Sequence, residues 1–191
     1  AICVRLVGSE MCIRDRQAVY AFKGDVYSGL DADTIQDDKF EYLQKTLRII
    51  SGYYGILRPF DKILPYRLEM GTRLENENGN NLYKFWGDKI TDVLNDDIED
   101  NDIVVNLASD EYFKSINKEK LNAEIITPVF KEFKNDSYKV IAIYAKKARG
   151  LMSRFLIERK SKNVDDIKLF NTDWYTFDGN LSTENELVFT R

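Results

Sequence analysis

Apolar and polar positions follow two rhythms along the chain, and the changes of rhythm divide it into elements. Ala18–Phe22 (AVYAF) is a short apolar run that reads as a buried strand entering a loop at Lys23-Gly24-Asp25. Phe40, Leu43, Leu47 and Ile50 recur at helical spacing, which predicts a helix from Asp37 or Asp38 to about Ile50 with one buried face. Glu41 stands three residues after Asp38, as in a capping box. Ser51–Gly71 loses the rhythm and holds Gly52, Gly55, Pro59, Pro65 and Gly71. Leu82, Phe85, Trp86, Ile90, Val93 and Leu94 restore a helical stripe, capped by Asn80 or Asn81.

Ile103–Leu107 (IVVNL) reads as a buried strand. Glu124–Phe133 and Tyr138–Tyr144 flank Asn135-Asp136, two residues that tolerate left-handed geometry, so a hairpin is expected there. A basic helix follows from about Lys146 to Arg159, and Leu187–Thr190 closes the chain as a strand. Helices and strands mix without regular βαβ alternation, so the fold class is α+β, a mixed sheet with surrounding helices.

Composition narrows the chemistry. Hydrophobic residues make up 43% and charged residues 31%, ordinary for one globular domain with a real core. No apolar run is long enough to span a bilayer and none reads as a signal peptide, so no membrane partner and a cytoplasmic location are expected. The sequence contains no histidine, which removes the commonest general base and the commonest zinc ligand. Its two cysteines, Cys3 and Cys12, both lie in the first dozen residues, leaving no thiol in the body. No catalytic residue, cofactor or metal is assigned on these grounds, and the oligomeric state is left open.

Residues 1–16 (AICVRLVGSEMCIRDR) break with the rest. They hold three arginines and no lysine, whereas from Gln17 onward lysine outnumbers arginine 17 to 8. The stretch resembles a translated sequencing adaptor, so 1–16 is read as a non-native segment and 17–191 as the domain. Without it the net charge moves from −4 to −5, with 25 cations against 30 anions.

Against that acidic background, Lys139–Lys162 carries eight cations and one anion, Glu158. Ala148, Leu151, Met152, Phe155 and Leu156 form its buried stripe, and Lys147, Gly150 and Arg154 fall opposite. Lys146, Lys147, Arg149 and Arg154 are the candidate DNA contacts. Gly150 would let a backbone or phosphate approach closely, and the step at Tyr144-Ala145-Lys146 would present free N–H groups to an anion. The same composition also suits a solvated cationic face. In Ser51-Gly52-Tyr53-Tyr54-Gly55, a helix running into a glycine turn resembles the hairpin of helix-hairpin-helix motifs, with Gly52 and Gly55 freeing backbone amides for a phosphate and Arg58 adding attraction. Three further loops form a possible polar cluster: Lys23 and Asp25; Arg67 and Glu69; Asp110 and Glu111. Their carboxylates could serve as acid or base if burial raised their pKa values, although Ser109 or Asp110 also suits a helix cap.

The segments AFKGDVYSGL (21–30), LRIISGYYGILRPFDKILPYRLEMG (47–71), NLYKFWGD (81–88), VVNLASDEYFKS (104–115), LNAEIITPVF (121–130) and YAKKARGLMSRF (144–155) resemble the YaaA peroxide-stress family, in family order. The resemblance implies a bacterial cytoplasmic protein that protects against hydrogen peroxide by limiting free iron and oxidative DNA damage. It also implies a mixed α/β fold with a helix-hairpin-helix element and a basic DNA-binding cleft. Family members carry an apolar strand and a Ser-Pro-Ala-Lys-Thr-like segment before the point matching Gln17, and this chain has the adaptor-like stretch there instead. The expected partner is DNA, duplex or distorted. An enzyme acting on a phosphate-bearing small molecule or nucleotide is the alternative, requiring the cations to converge on a pocket. Iron held directly by the acidic stretch Asp88–Asp102 ranks last, because nothing there has an established metal spacing.

Overall fold

The computed structural model describes residues Asp15–Arg191; both cysteines, and with them most of the adaptor-like segment, lie outside the described residues. The described part is α+β, as the mixed rhythms predict. Its main sheet runs in the order β5 (Ile103–Val105), β6 (Glu124–Lys134), β9 (Glu186–Thr190), β8 (Thr176–Phe177). β5, β6 and β9 are parallel, β8 is antiparallel to β9, and β7 (Ser137–Lys139) folds back on the end of β6. The β6–β7 turn falls at Asn135 (φ 50°) and Asp136 (φ 57°), both left-handed, as their residue types predict.

The long helix α7 (Ala142–Arg159) lies across this sheet. Ala145, Ala148 and Met152 pack with Ile126, Phe130 and Phe189 into one core cluster. The helix begins one turn earlier than the basic stretch suggests. Its first amides therefore belong to Ala142–Tyr144, while the Ala145 N–H already donates to the Ile141 carbonyl at 2.9 Å. The segment expected to extend the strand to Tyr144 is correspondingly short.

The N-terminal lobe differs more from the sequence reading. Ala18–Phe22 is not a strand: Ala18–Ala21 forms a helical turn, α1, with Ala18 and Val19 buried. A five-residue apolar run fits either state. Its neighbours decide, since the Ala18 and Val19 N–H groups donate to the Asp61 and Pro59 carbonyls. Arg16–Gln17 (β1) pairs with Lys62–Ile63 (β4), and α2 follows at Asp25–Leu30.

Helix α3 (Phe40–Thr46) stops four residues before Ile50. No side chain caps its start, and Asp38 pairs with Lys39 at 3.0 Å instead of forming a capping box. At its end the Arg48 guanidinium donates to the Gln44 and Leu47 carbonyls at 3.2 and 2.8 Å. Ile49–Ser51 (β2) then pairs antiparallel with Gly55–Leu57 (β3). Ile49 and Ser51 face inward with Ile50 between them, a period of two that outweighs the helical repeat. The glycine turn thus joins two strands, and the helix-hairpin-helix expectation is corrected to a β-hairpin.

Asn81 caps α4 (Leu82–Trp86) by accepting from the Lys84 N–H at 2.9 Å, as expected. Gly87 (φ 52°) then splits the predicted stripe, and α5 takes Lys89–Asp97. Helix α6 (Asp110–Phe113) follows β5, and α8 (Val164–Lys168) follows α7.

Candidate functional site

Helix α7 is squeezed from two sides, and that decides where its cations go. One side meets the sheet. On the other, a Cβ built on Gly150 would stand 1.9 Å from the Val26 carbonyl oxygen, and one on Gly29 would stand 2.3 Å from that of Lys147. α2 and α7 thus touch backbone to backbone, and Gly150 serves this contact. The backbone that the missing side chain admits is a helix of the same chain.

With both broad faces buried, charged side chains must leave along the two flanks. Successive residues turn by about 100°. Lys146 and Arg149 take one flank; Lys147 and Arg154 take the other. Neighbours agree with this split. Burial pulls the Arg149 guanidinium below its ordinary value, and the Asp110 carboxylate opposes that shift. Lys147 lies 3.8 Å from Asp173 on the opposite flank.

The candidate cations differ in what they hold. Arg154 donates to the Asp31 carbonyl and the Thr34 hydroxyl, both at 2.8 Å, and to the Thr34 carbonyl at 3.1 Å. It also pairs with Glu158 at 2.7 Å. It therefore ties down the carbonyls at the end of α2. Arg58 donates to Asp97 at 2.6 Å, and the same carboxylate takes Arg48 at 2.7 Å. Burial would raise the Asp97 carboxyl, but hydrogen bonds from Arg48 and Arg58 outweigh it and hold the group below its usual range. Lys146 is exposed and makes no ion pair or hydrogen bond among the described residues, and Lys147 has only its long approach to Asp173.

The glycine hairpin is equally occupied. A Cβ on Gly52 would stand 2.5 Å from the Leu68 carbonyl oxygen, and one on Gly55 (φ 77°) would stand 2.7 Å from the Trp86 ring. The Trp86 indole N–H donates to the Gly52 carbonyl at 3.0 Å. Within the turn, the Tyr53 and Tyr54 N–H groups donate to the Ser51 hydroxyl at 3.2 and 2.8 Å. These are the amides that a phosphate would need.

The polar loops converge only in part. Asp110 and Glu111 open α6 at the carboxyl end of β5. Ser109 and Asp110 supply no side-chain cap there. The Glu111 carboxylate instead accepts from the Gly71 N–H at 2.7 Å, and its carbonyl accepts from the Tyr83 hydroxyl at 2.9 Å. Next to it, burial and then the Glu111 charge push the Tyr112 hydroxyl up, with Tyr66 and Glu69 adding to the shift. Burial does the same to Tyr27, which Tyr66 and Tyr112 reinforce. Glu69 and Glu111 thus border a group of tyrosines that the sequence reading did not single out, and Asp110 acts on Arg149. Lys23, Asp25 and Arg67 are exposed and enter no ion pair or side-chain hydrogen bond among the described residues.

Among the described residues no group of three or more His, Cys, Asp or Glu is placed to hold a metal ion, and no helix is long and apolar enough to cross a membrane.

A second group missed by the sequence reading stands beside Lys147. Arg191 pairs with Glu132 at 2.9 Å and with Asp173 at 2.8 Å, and its guanidinium lies over the rings of Tyr144 and Tyr175.

The comparison with known families agrees with the segments quoted above. The family model described as peroxide stress protein YaaA matches residues 5–181, so the chain belongs to the YaaA family of peroxide stress proteins.

Proposed function

We propose that this chain serves the peroxide stress response by binding DNA through the basic end of α7. The observation that carries the reading is the contrast among its cations. Arg58 and Arg154 are engaged by the chain's own oxygens, while the Lys146 side chain has no ion pair or hydrogen bond among the described residues and Lys147 has only its 3.8 Å approach to Asp173. Nearby Lys134 and Lys139, on the β6–β7 hairpin, are exposed as well. Phe133 and Tyr138 on the same hairpin and Tyr144 in the first turn of α7 are exposed too. Cations interleaved with aromatic rings suit a phosphate backbone with accessible bases.

Such contacts position DNA without reading sequence. A helix-hairpin-helix contact at Gly52 and Gly55 is not part of the proposal, because the turn amides are already bonded. Restriction of free iron, protection of DNA from oxidation and a cytoplasmic location complete the proposal. They rest on family membership, and no residue of this chain is assigned to iron.

The test is a titration of labelled duplex DNA with the full chain and with a Lys146→Ala/Lys147→Ala variant, at several salt concentrations. The variant should bind more weakly to every sequence tried, with the salt slope flatter by about 0.9 for each phosphate that is no longer neutralised. Equal affinity and equal slope would reject the site.

A further inference from the structure

The least covered large apolar side chain in the described residues is Trp174, 87% exposed. Its backbone is unusual too. Asp173 (φ 56°, ψ 38°) and Trp174 (φ 66°) are consecutive left-handed residues, a conformation that bulky L side chains rarely adopt. The surroundings hold it there. Arg191 donates to the Asp173 carbonyl at 3.0 Å and pairs with its carboxylate at 2.8 Å. Tyr175, the next residue, is 1% exposed, and its hydroxyl bonds Glu132. A buried residue on one side and a clamped peptide on the other leave the indole pointing away from the core. A strained conformation maintained by this many contacts is a reason to look for function.

The neighbours of Asp173, the residue before it, indicate what the ring meets. Lys147 approaches Asp173. The Arg191 guanidinium sits 5.0 Å from the ring of Tyr144, itself 44% exposed. Two cations and a second aromatic therefore stand around Asp173, the residue before Trp174, a setting better matched to a base with its phosphate than to an apolar protein surface.

We propose that Trp174 is a stacking platform for an unpaired base of single-stranded or locally opened DNA, with Lys147 holding the adjacent phosphate. This rests on the DNA-binding reading above and adds a specificity to it: a duplex keeps its bases stacked and gains only the phosphate contacts, whereas an opened strand gains the ring as well.

Binding of a thymidine homopolymer and of a mixed-sequence duplex to the full chain, followed by tryptophan fluorescence and by anisotropy of labelled DNA, tests it. The sequence has two tryptophans, and Trp86 is tied to Gly52. Quenching that persists in Trp174→Phe therefore belongs to Trp86. Trp174→Gly removes the ring at a backbone position glycine accepts freely, so its melting temperature should be no lower than that of the parent. The expected result is quenching of the parent by the homopolymer, roughly tenfold weaker homopolymer binding by Trp174→Gly, most affinity retained by Trp174→Phe, and duplex binding changed by less than about twofold. If duplex still binds but Trp174→Gly holds the homopolymer as tightly as the parent, the platform is wrong and the DNA reading stands. Absence of binding to either DNA overturns both. Concentration-dependent self-association that Trp174→Gly abolishes would also overturn it, placing the ring between copies of this chain.

Discussion

The hairpin at residues 49–58 and the first turns of α7 look alike in sequence: glycine, aromatic residues and basic side chains close together. Folded, they differ. In the hairpin each element has a partner inside the chain: Gly52 against Leu68, Gly55 against Trp86, the turn amides on Ser51, and Arg58 on Asp97. In α7, Gly150 and Arg154 are likewise taken by α2 and the turn after it, but Lys146 has no partner among the described residues and Lys147 only its 3.8 Å approach to Asp173. A planar guanidinium with five donors can satisfy several carbonyls and carboxylates at once, whereas an ammonium is compact and strongly hydrated. A run of cations in a sequence should therefore be sorted by internal acceptors before it is read as a binding surface.

The contrast is broken most severely at Gly150. Gly150→Ala gains about 1 kcal/mol of helix propensity. Its Cβ would overlap the Val26 carbonyl, 1.9 Å away. Overlap with backbone cannot be relieved by a rotamer, so a net loss of about 3 kcal/mol is expected in chemical denaturation. A neutral or stabilising Gly150→Ala would mean that α2 and α7 are further apart than described.

Arg154→Ala comes next. It takes the guanidinium from the Thr34 carbonyl and hydroxyl and from the Asp31 carbonyl, which keeps the Thr34 N–H and hydroxyl, and should cost about 1–2 kcal/mol. Thermal melting measures this, and DNA affinity corrected for folding should be unchanged.

Asp97 gives a smaller, pH-dependent effect. Its folded pKa lies below the ordinary value, so its contribution is present above the unfolded pKa, about 4, and is lost as pH falls through the lower folded value. Asp97→Asn should therefore destabilise at neutral pH and flatten the decline in stability below about pH 4, as seen in denaturant midpoints at each pH. A decline as steep as the parent's would assign acid sensitivity elsewhere. Arg58→Ala, with the arginine side chain 52% exposed, should cost only about 0.5–1 kcal/mol.

Features legible in the sequence were those decided locally. The Asn135-Asp136 turn, the Asn81 cap and the strands at Ile103 and Leu187 depend on a few adjacent residues. The length of α3 was not legible, because Ile49–Ser51 is drawn into pairing with Gly55–Leu57 just beyond it. Nor was the role of Gly150, whose partner Val26 lies far away along the chain. The family was legible from whole segments, but the candidate site only in part. Residue type marked Lys146 and Lys147 as cations, yet the internal acceptors that separate them from Arg58 and Arg154 arise only from the fold. Trp174 carried no periodic signal at all.

The central claim is that Lys146 and Lys147 of α7 meet DNA while Arg58 and Arg154 hold the protein together. Salt-dependent duplex binding by Lys146→Ala, Lys147→Ala, Arg58→Ala and Arg154→Ala, each normalised to its folded fraction, tests it most directly. The account predicts that each lysine variant binds more weakly and flattens the salt slope by about 0.9, while both arginine variants keep the parent's slope. Lysine variants that bind like the parent, or an arginine variant that flattens the slope while fully folded, would contradict it.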